Sequence, residues 1–221
     1  MTPFDTLFER AAQRKGGPAA LEKELPAVPA PAALRRIADD RWLAEMTKRV
    51  FQAGFNWSVI ESKWDGFEAA FEGFNPRRWS LMSDEDIDRL IRDTRIVRNG
   101  AKIQSVAVNA KLLCDLADEH GSAAAAFADW PDEDFAGLLD LLKTRGNRLG
   151  GTTASYLMRG MGKDSFVLSP DVITALIREG VVATAPTSRR GLNAVQAAFN
   201  QWRAESGRPL THISKVLAFT V

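Results

Sequence analysis

Cysteine is almost absent from this 221-residue chain. The single one, Cys114, excludes an intrachain disulfide. Histidine is scarce as well, with only His120 and His212, so a Cys/His zinc site has too few ligands. No EF-hand-like acidic loop stands ready for a hard cation. Neither a metal nor a cofactor is expected. Long apolar runs are also missing. None approaches the ~20 residues that cross a bilayer, which argues against a membrane partner. Met1 to Arg14 mixes acids, bases and apolar residues and lacks the apolar core of a secretory signal, so the expected location is cytoplasmic. Alternating strand patterns are missing too: Ile96-Val97 and Phe166-Val167-Leu168 are too short for a sheet. Nor is there a large charge of one sign. The net charge is +1, which by itself does not mark a polyanion binder. Nothing demands more than a monomer.

What is present is helical periodicity. Ile103, Val106, Ala107, Ala110, Leu113, Cys114 and Ala117 fall on one helical stripe. Ser83 and Asp86 have capping-box spacing and open a helix with Ile87, Leu90 and Ile91 facing inward. Leu138, Leu139, Leu141 and Leu142 make a strongly apolar helix. Ser169-Pro170-Asp171 reads as an N-cap, a first-turn proline and a first-turn acid, with Val172, Ile173, Leu176 and Ile177 turned inward. Gly191 to Arg203 and the run through Ile213, Val216 and Leu217 give two more helices. The fold class is all-α. Residues 1–34 form a helix, Pro3 to Arg14, and a Pro/Gly-rich arm with Pro26, Pro29 and Pro31. Residues 35–221 form the main helical domain. Its Lys143–Arg190 stretch holds eight cations against Asp164, Asp171 and Glu179, which allows a basic face, although on charge alone an ordinary solvated surface is the commoner outcome.

Four constellations can carry chemistry. In the first, a helix ends at Gly146, a glycine-rich turn follows, and a second helix opens at Gly151-Thr152-Thr153, a hairpin over about residues 138–161. Free N–H groups at such a helix start attract an anion, and glycine lets a phosphate approach the backbone. Arg148, Gly150, Gly151 and Thr152 are the DNA-backbone candidates here, although a glycine turn between core helices is more often only a turn. The second is Asp171, about 20 residues past the hairpin glycines. A carboxylate there can stabilise a developing sugar cation or orient water, while a first-turn acid also simply complements the helix dipole. The third is Phe51-Gln52-Ala53-Gly54-Phe55-Asn56-Trp57. Trp57 can stack a flipped base, Gln52 and Asn56 can read its edge, and Phe55 can wedge into the vacated stack. Phe51, Trp64, Phe67, Phe71, Phe74 and Trp79 read as core. In the fourth, Arg98 and Lys102 flank a short turn, where they can touch phosphate or cap neighbouring helix ends.

Together these residues resemble the 3-methyladenine DNA glycosylase I family of helix-hairpin-helix glycosylases. The resemblance rests on Gln52-Ala53-Gly54-Phe55-Asn56-Trp57, Phe67 to Phe71, Phe74-Asn75-Pro76, the acidic helix Asp84 to Arg92, and Ile96-Val97-Arg98-Asn99. It continues through Lys102-Ile103, Asn109-Ala110, Gly150-Gly151-Thr152-Thr153 with Tyr156, and Asp171, across roughly Trp42 to Ile177. It implies a two-lobed helix-hairpin-helix glycosylase fold and base-excision repair of double-stranded DNA that contains damaged bases. It puts Trp57 at the base-stacking position, Gly54-Phe55 at the loop that fills the duplex, and the glycine turn at the strand clamp. Asp171 becomes the catalytic candidate. The family's zinc-binding Cys and His residues have no counterparts. Its pocket glutamate is replaced by Arg49, which joins Trp57, Gln52 and Asn56 as a base-binding candidate. Strand-nicking relatives carry a lysine where this chain has Thr152, so the expected enzyme is monofunctional, with water as nucleophile. The alternatives are a non-catalytic damaged-DNA binder and an interaction protein that keeps only the fold.

Overall fold

The computed structural model describes residues 1–221 and contains helices without a strand. In chain order they are α1 (Phe4–Lys15), α2 (Pro18–Glu24), α3 (Pro31–Leu34), α4 (Asp39–Gln52), α5 (Trp57–Ser62), α6 (Trp64–Ala70), α7 (Pro76–Trp79) and α8 (Asp84–Arg92). They continue with α9 (Gly100–His120), α10 (Ala123–Asp129), α11 (Phe135–Arg145), α12 (Thr152–Met161), α13 (Pro170–Arg178), α14 (Arg189–Ser206) and α15 (Leu210–Phe219).

Local chemistry sets many of these boundaries. Ser83 and Asp86 make the reciprocal capping box. Asn99 accepts from the Lys102 amide to start α9, and Ser169 accepts from Val172 to start α13. The first hairpin helix begins at Phe135 rather than Leu138, because Asp134 caps it through the Gly137 amide. Two inward-facing expectations fail: Ile91 and Ile177 are exposed, Ile91 even though it lies beside Gly100 at the start of α9.

Tertiary packing divides the helices into two lobes. In one, α4, α7, α8 and α10 surround α9. The central position of α9 explains why Leu112, Leu116, Ser105 and Asn109 are buried beyond the simple stripe. In the other, α1, α13 and α14 pack on α15, and α11 packs on α14. The contact of α12 with α4 joins the two lobes, and one core cluster runs continuously from Phe4 to Leu217.

The N-terminal segment is part of this core. Phe4, Leu7, Ala11 and Ala12 are buried. Glu179, nearly enclosed, accepts from Thr2 at 2.5 Å, Arg10 at 2.6 Å and Arg178 at 2.8 Å. Burial opposes its ionisation, but these donors outweigh burial and hold its pKa below the ordinary value. The proline-rich arm crosses the end of α12. The Pro26 carbonyl lies 2.9 Å from His212 Nε2, and Pro29 packs against Gly162.

Most cations of the Lys143–Arg190 stretch are engaged by partners within the protein, many of them at the surface. Arg145 binds Glu119, Arg159 binds Ser165, Lys163 is buried on Asp132, Arg178 holds Glu179 and Arg189 holds Asp140. Lys143, Arg148 and Arg190 are the cations of the stretch that form no hydrogen bond or ion pair.

Candidate nucleic-acid interface

The N-terminal half of α9 organises two loops. Lys102 Nζ donates to the Phe51 carbonyl at 3.1 Å and the Ala53 carbonyl at 2.8 Å, closing the C-terminus of α4. Two turns along, buried Asn109 grips the hairpin turn: its Oδ1 accepts from the Asn147 amide at 2.8 Å, and its Nδ2 donates to the Asn147 carbonyl at 3.2 Å. Gly146 is required beside it, because a Cβ would lie 2.6 Å from the Leu142 carbonyl oxygen and 3.2 Å from Asn109 Oδ1. The loop after α4 and the hairpin turn are therefore fixed to one helix. Lys102 lies within electrostatic reach of Arg148. Burial first, and Arg148 second, push its pKa below the usual lysine value.

The hairpin turn has the expected form. Gly151, at φ 59° and ψ −137°, precedes α12 as a backbone cap with no side-chain bond, so the first amides of α12 keep free donors. Arg148 is exposed and carries a left-handed φ of 59°, which strains a residue with a Cβ. Thr152 is exposed at the helix start, and Gly150 is half-buried. Arg98 is exposed and unpaired, at the edge of the same α9 start.

The loop after α4 presents two large aromatic side chains to solvent, Phe55 and Trp57, at 45% and 47% exposure. Gly54 provides the left-handed turn between α4 and α5, at φ 68°. Tyr156 of α12 meets the Trp57 ring edge-on, with centroids 5.9 Å apart. The guanidinium of Arg49 stands 5.7 Å from the Trp57 centroid.

Behind Trp57 lies a network that the sequence did not disclose. Arg49 Nε donates to Glu45 at 2.7 Å and Arg49 Nη1 donates to Gln52 Oε1 at 3.2 Å. Gln52 Nε2 donates to Glu61 at 2.9 Å, and Glu61 pairs with Lys48 at 2.7 Å. Two cations and two carboxylates thus balance. Gly160, inside α12, admits this network: a Cβ there would sit 2.7 Å from Arg49 Nη2. Glu45 had a legible signal, its i,i+4 spacing from Arg49. Gly160 had one in being a glycine within a helix. Glu61 had none.

Several candidate residues already have partners within the protein. Gln52 is buried, and its amide accepts from Arg49 and donates to Glu61. Asn56 spends its carbonyl oxygen on the Ser58 amide and hydroxyl, as the N-cap of α5. Lys102 takes the helix-capping option. Asp171 sits exposed in the first turn of α13, forms no hydrogen bond or ion pair, and takes no part in the Trp57 network. The residues do not fit the zinc ion of the resembling family: Cys114 stands alone, and no three His, Cys, Asp or Glu side chains converge.

A larger cavity, about 410 Å³, lies behind the hairpin between Leu139, Ser155, Leu168, Ile173 and Leu192. Neither Trp57 nor Asp171 lines it.

Comparison with known proteins agrees with this geometry. Residues 35–136 match the family model described as methyladenine glycosylase. The match includes α4, the Trp57 loop and α9, and ends where the hairpin begins. DNA-3-methyladenine glycosylase 1 of Escherichia coli is 28% identical over an alignment covering 48% of this chain and 66% of that protein. DNA-3-methyladenine glycosylase of Haemophilus influenzae is 32% identical over 27% of this chain and 32% of that protein. The chain thus spans just under two thirds of the first relative and about a third of the second. Among solved structures, a variant of 3-methyladenine DNA glycosylase I from Staphylococcus aureus superposes with a TM-score of 0.52 at 20% identity, over 70% of this chain and 91% of that one, which shows the shared fold. Over residues 35–136, just under half of its length, this chain is similar to the methyladenine glycosylase family.

Proposed function

We propose that the protein is a monofunctional base-excision N-glycosylase that flips an alkylated purine such as 3-methyladenine out of double-stranded DNA and hydrolyses its N-glycosidic bond. The observation that carries this reading is an exposed Trp57 beside a fixed polar network, on a loop tied through α9 to a hairpin with free helix-start donors. Trp57 stacks the extruded base. Phe55, lifted by Gly54, fills the space it leaves. Gly150, Gly151 and Thr152 hold a backbone phosphate at the start of α12, and Arg148 and Arg98 add charge beside it.

The chemical step needs little from the protein when the base is cationic, because such a base is already a good leaving group. Asp171 supplies negative charge toward the sugar as the bond breaks. Thr152 offers no amine for a Schiff base, so water attacks and an abasic site results. The protein acts as a monomer, in the cytoplasm.

Base release from methylated duplex DNA tests this, with Asp171→Asn and Trp57→Ala beside the unaltered protein. Release of 3-methyladenine that falls in both variants is the expected result, with no borohydride-trapped adduct. Absence of release with tight abasic-site binding retained would make the protein a damaged-DNA binder instead.

A further inference from the structure

Arg49 is the group at the base-stacking site whose donors are not all used. A guanidinium has five N–H donors. Glu45 takes the Nε hydrogen and Gln52 takes one from Nη1. The second Nη1 hydrogen and both on Nη2 have no partner in the protein. The side chain is only 20% exposed and is anchored on both flanks, so those donors are fixed in direction. The guanidinium lies over the Trp57 ring at 5.7 Å from its centroid, within cation–π reach, so its unpaired donors border the stacking position.

We infer that Arg49 makes the Trp57 site selective for a neutral 6-oxopurine, whose adjacent O6 and N7 acceptors match the unpaired guanidinium edge, in preference to a cationic alkylated adenine. This rests on the glycosylase reading above. Arginine pairs with O6 and N7 of a purine through two parallel hydrogen bonds. Adenine derivatives present an amino donor at the first of those positions, and donor would meet donor. A cationic base also gains nothing from the network as a whole, whose two cations and two carboxylates balance. Guanine carries the same acceptor edge but is held in a full pair. A deaminated adenine, hypoxanthine, pairs weakly opposite thymine and is extruded at lower cost.

The same contact serves the reaction. A cationic base departs unaided, whereas a neutral purine departs with negative charge building on its ring. Water oxygen bonds to C1′, the C1′–N9 electron pair goes to the base, and the proton lost by water ends on the base. Donors at O6 and N7 stabilise that charge where it develops. Gly160 belongs to the device, because its missing side chain leaves room for Nη2.

The test compares initial rates on two substrates, duplex DNA containing hypoxanthine opposite thymine and methylated duplex DNA, for the unaltered protein, Arg49→Gln, Arg49→Lys and Gly160→Ala. The unaltered protein should favour hypoxanthine. Arg49→Gln and Arg49→Lys should lose hypoxanthine release by on the order of tenfold to a hundredfold, as expected for losing a bidentate contact, and should lower the ratio of hypoxanthine to 3-methyladenine release. Gly160→Ala replaces a helical glycine by a better helix former, so it should fold at least as well, yet it should shift the preference in the same direction by displacing the guanidinium. Release of 3-methyladenine with hypoxanthine untouched, or an unchanged substrate ratio in Arg49→Gln, would overturn the inference and leave the glycosylase standing. Release of neither base would overturn both.

Discussion

Residues 51–79 contain two sets of aromatic side chains that the protein treats in opposite ways. Phe67, Phe71, Phe74 and Trp79 are fully buried and nearly form a column. Phe67 and Phe71 stack at 6.3 Å, Phe71 and Phe74 at 5.1 Å, and Trp79 meets Phe71 edge-on at 5.0 Å. Phe74 even accepts a left-handed φ of 61° to join them. Phe55 and Trp57, a few residues upstream, stand in solvent, where burial would have stabilised them by a few kcal/mol each. The first set fills the space under α9. The second has no helix above it and is held open by a loop whose carbonyls Lys102 has already capped. Residue type is the same in both sets. Only the second leaves a face free, and a free aromatic face is what an unstacked base requires.

The comparison can be broken most severely from the buried side. Phe71→Ala should cost about 3–5 kcal/mol of stability, seen as a lower denaturation midpoint, with base release per folded molecule unchanged. Trp57→Ala should do the reverse: stability within about 0.5 kcal/mol of the unaltered protein, and base release down by a factor corresponding to about 1–3 kcal/mol of lost stacking. Equal stability losses in the two variants would abolish the distinction.

A smaller effect comes from the roof of the buried column. Arg78 lies over the Trp79 ring at 4.5 Å and forks onto Asp86 at 2.9 and 2.5 Å. Arg78 holds the Asp86 carboxyl well below the ordinary carboxylate range. An unfolded aspartate protonates near 3.9, so the contribution of Asp86 is complete above about that pH and is lost as pH falls toward the folded value. Asp86→Asn should cost about 1 kcal/mol at neutral pH, because Arg78 is partly exposed and solvent screens the pair. It should also flatten the acid limb of the stability profile, as measured by denaturant titration at several pH values.

The smallest effect should come from the hairpin. Arg148→Gly should raise stability by up to about 1 kcal/mol by releasing the left-handed strain. It should also weaken DNA binding and reduce the salt slope of the affinity by about one. A stability gain with unchanged salt slope would remove Arg148 from the phosphate contact.

Much of the fold was legible because its determinants are local. The capping box of Ser83 and Asp86 and the Ser169-Pro170 start of α13 are set by residues within one helical turn of each other. Of the candidate site, exposure was legible: Trp57 and Phe55 face solvent and Gly151 precedes α12, whereas Phe67, Phe71, Phe74 and Trp79 are core as their pattern required. The partners of Gln52 and Asn56 were not legible, because an amide beside a glycine looks free until its neighbours are known. The consumers of Gln52, Arg49 and Glu61, lie on different helices.

By itself, then, the sequence determined that the chain is helical, where several of its longer helices lie, and that a glycine hairpin and an aromatic loop exist, since periodicity and capping act over a few residues. Only the tertiary structure decided that α9 would hold both loops, that most cations after Lys143 would be consumed in internal pairs, and that Gly160 would let the Arg49 guanidinium slide under α12. Those outcomes depend on which helices meet, and the charge and free donors left over at the end of that packing are what remain for a ligand.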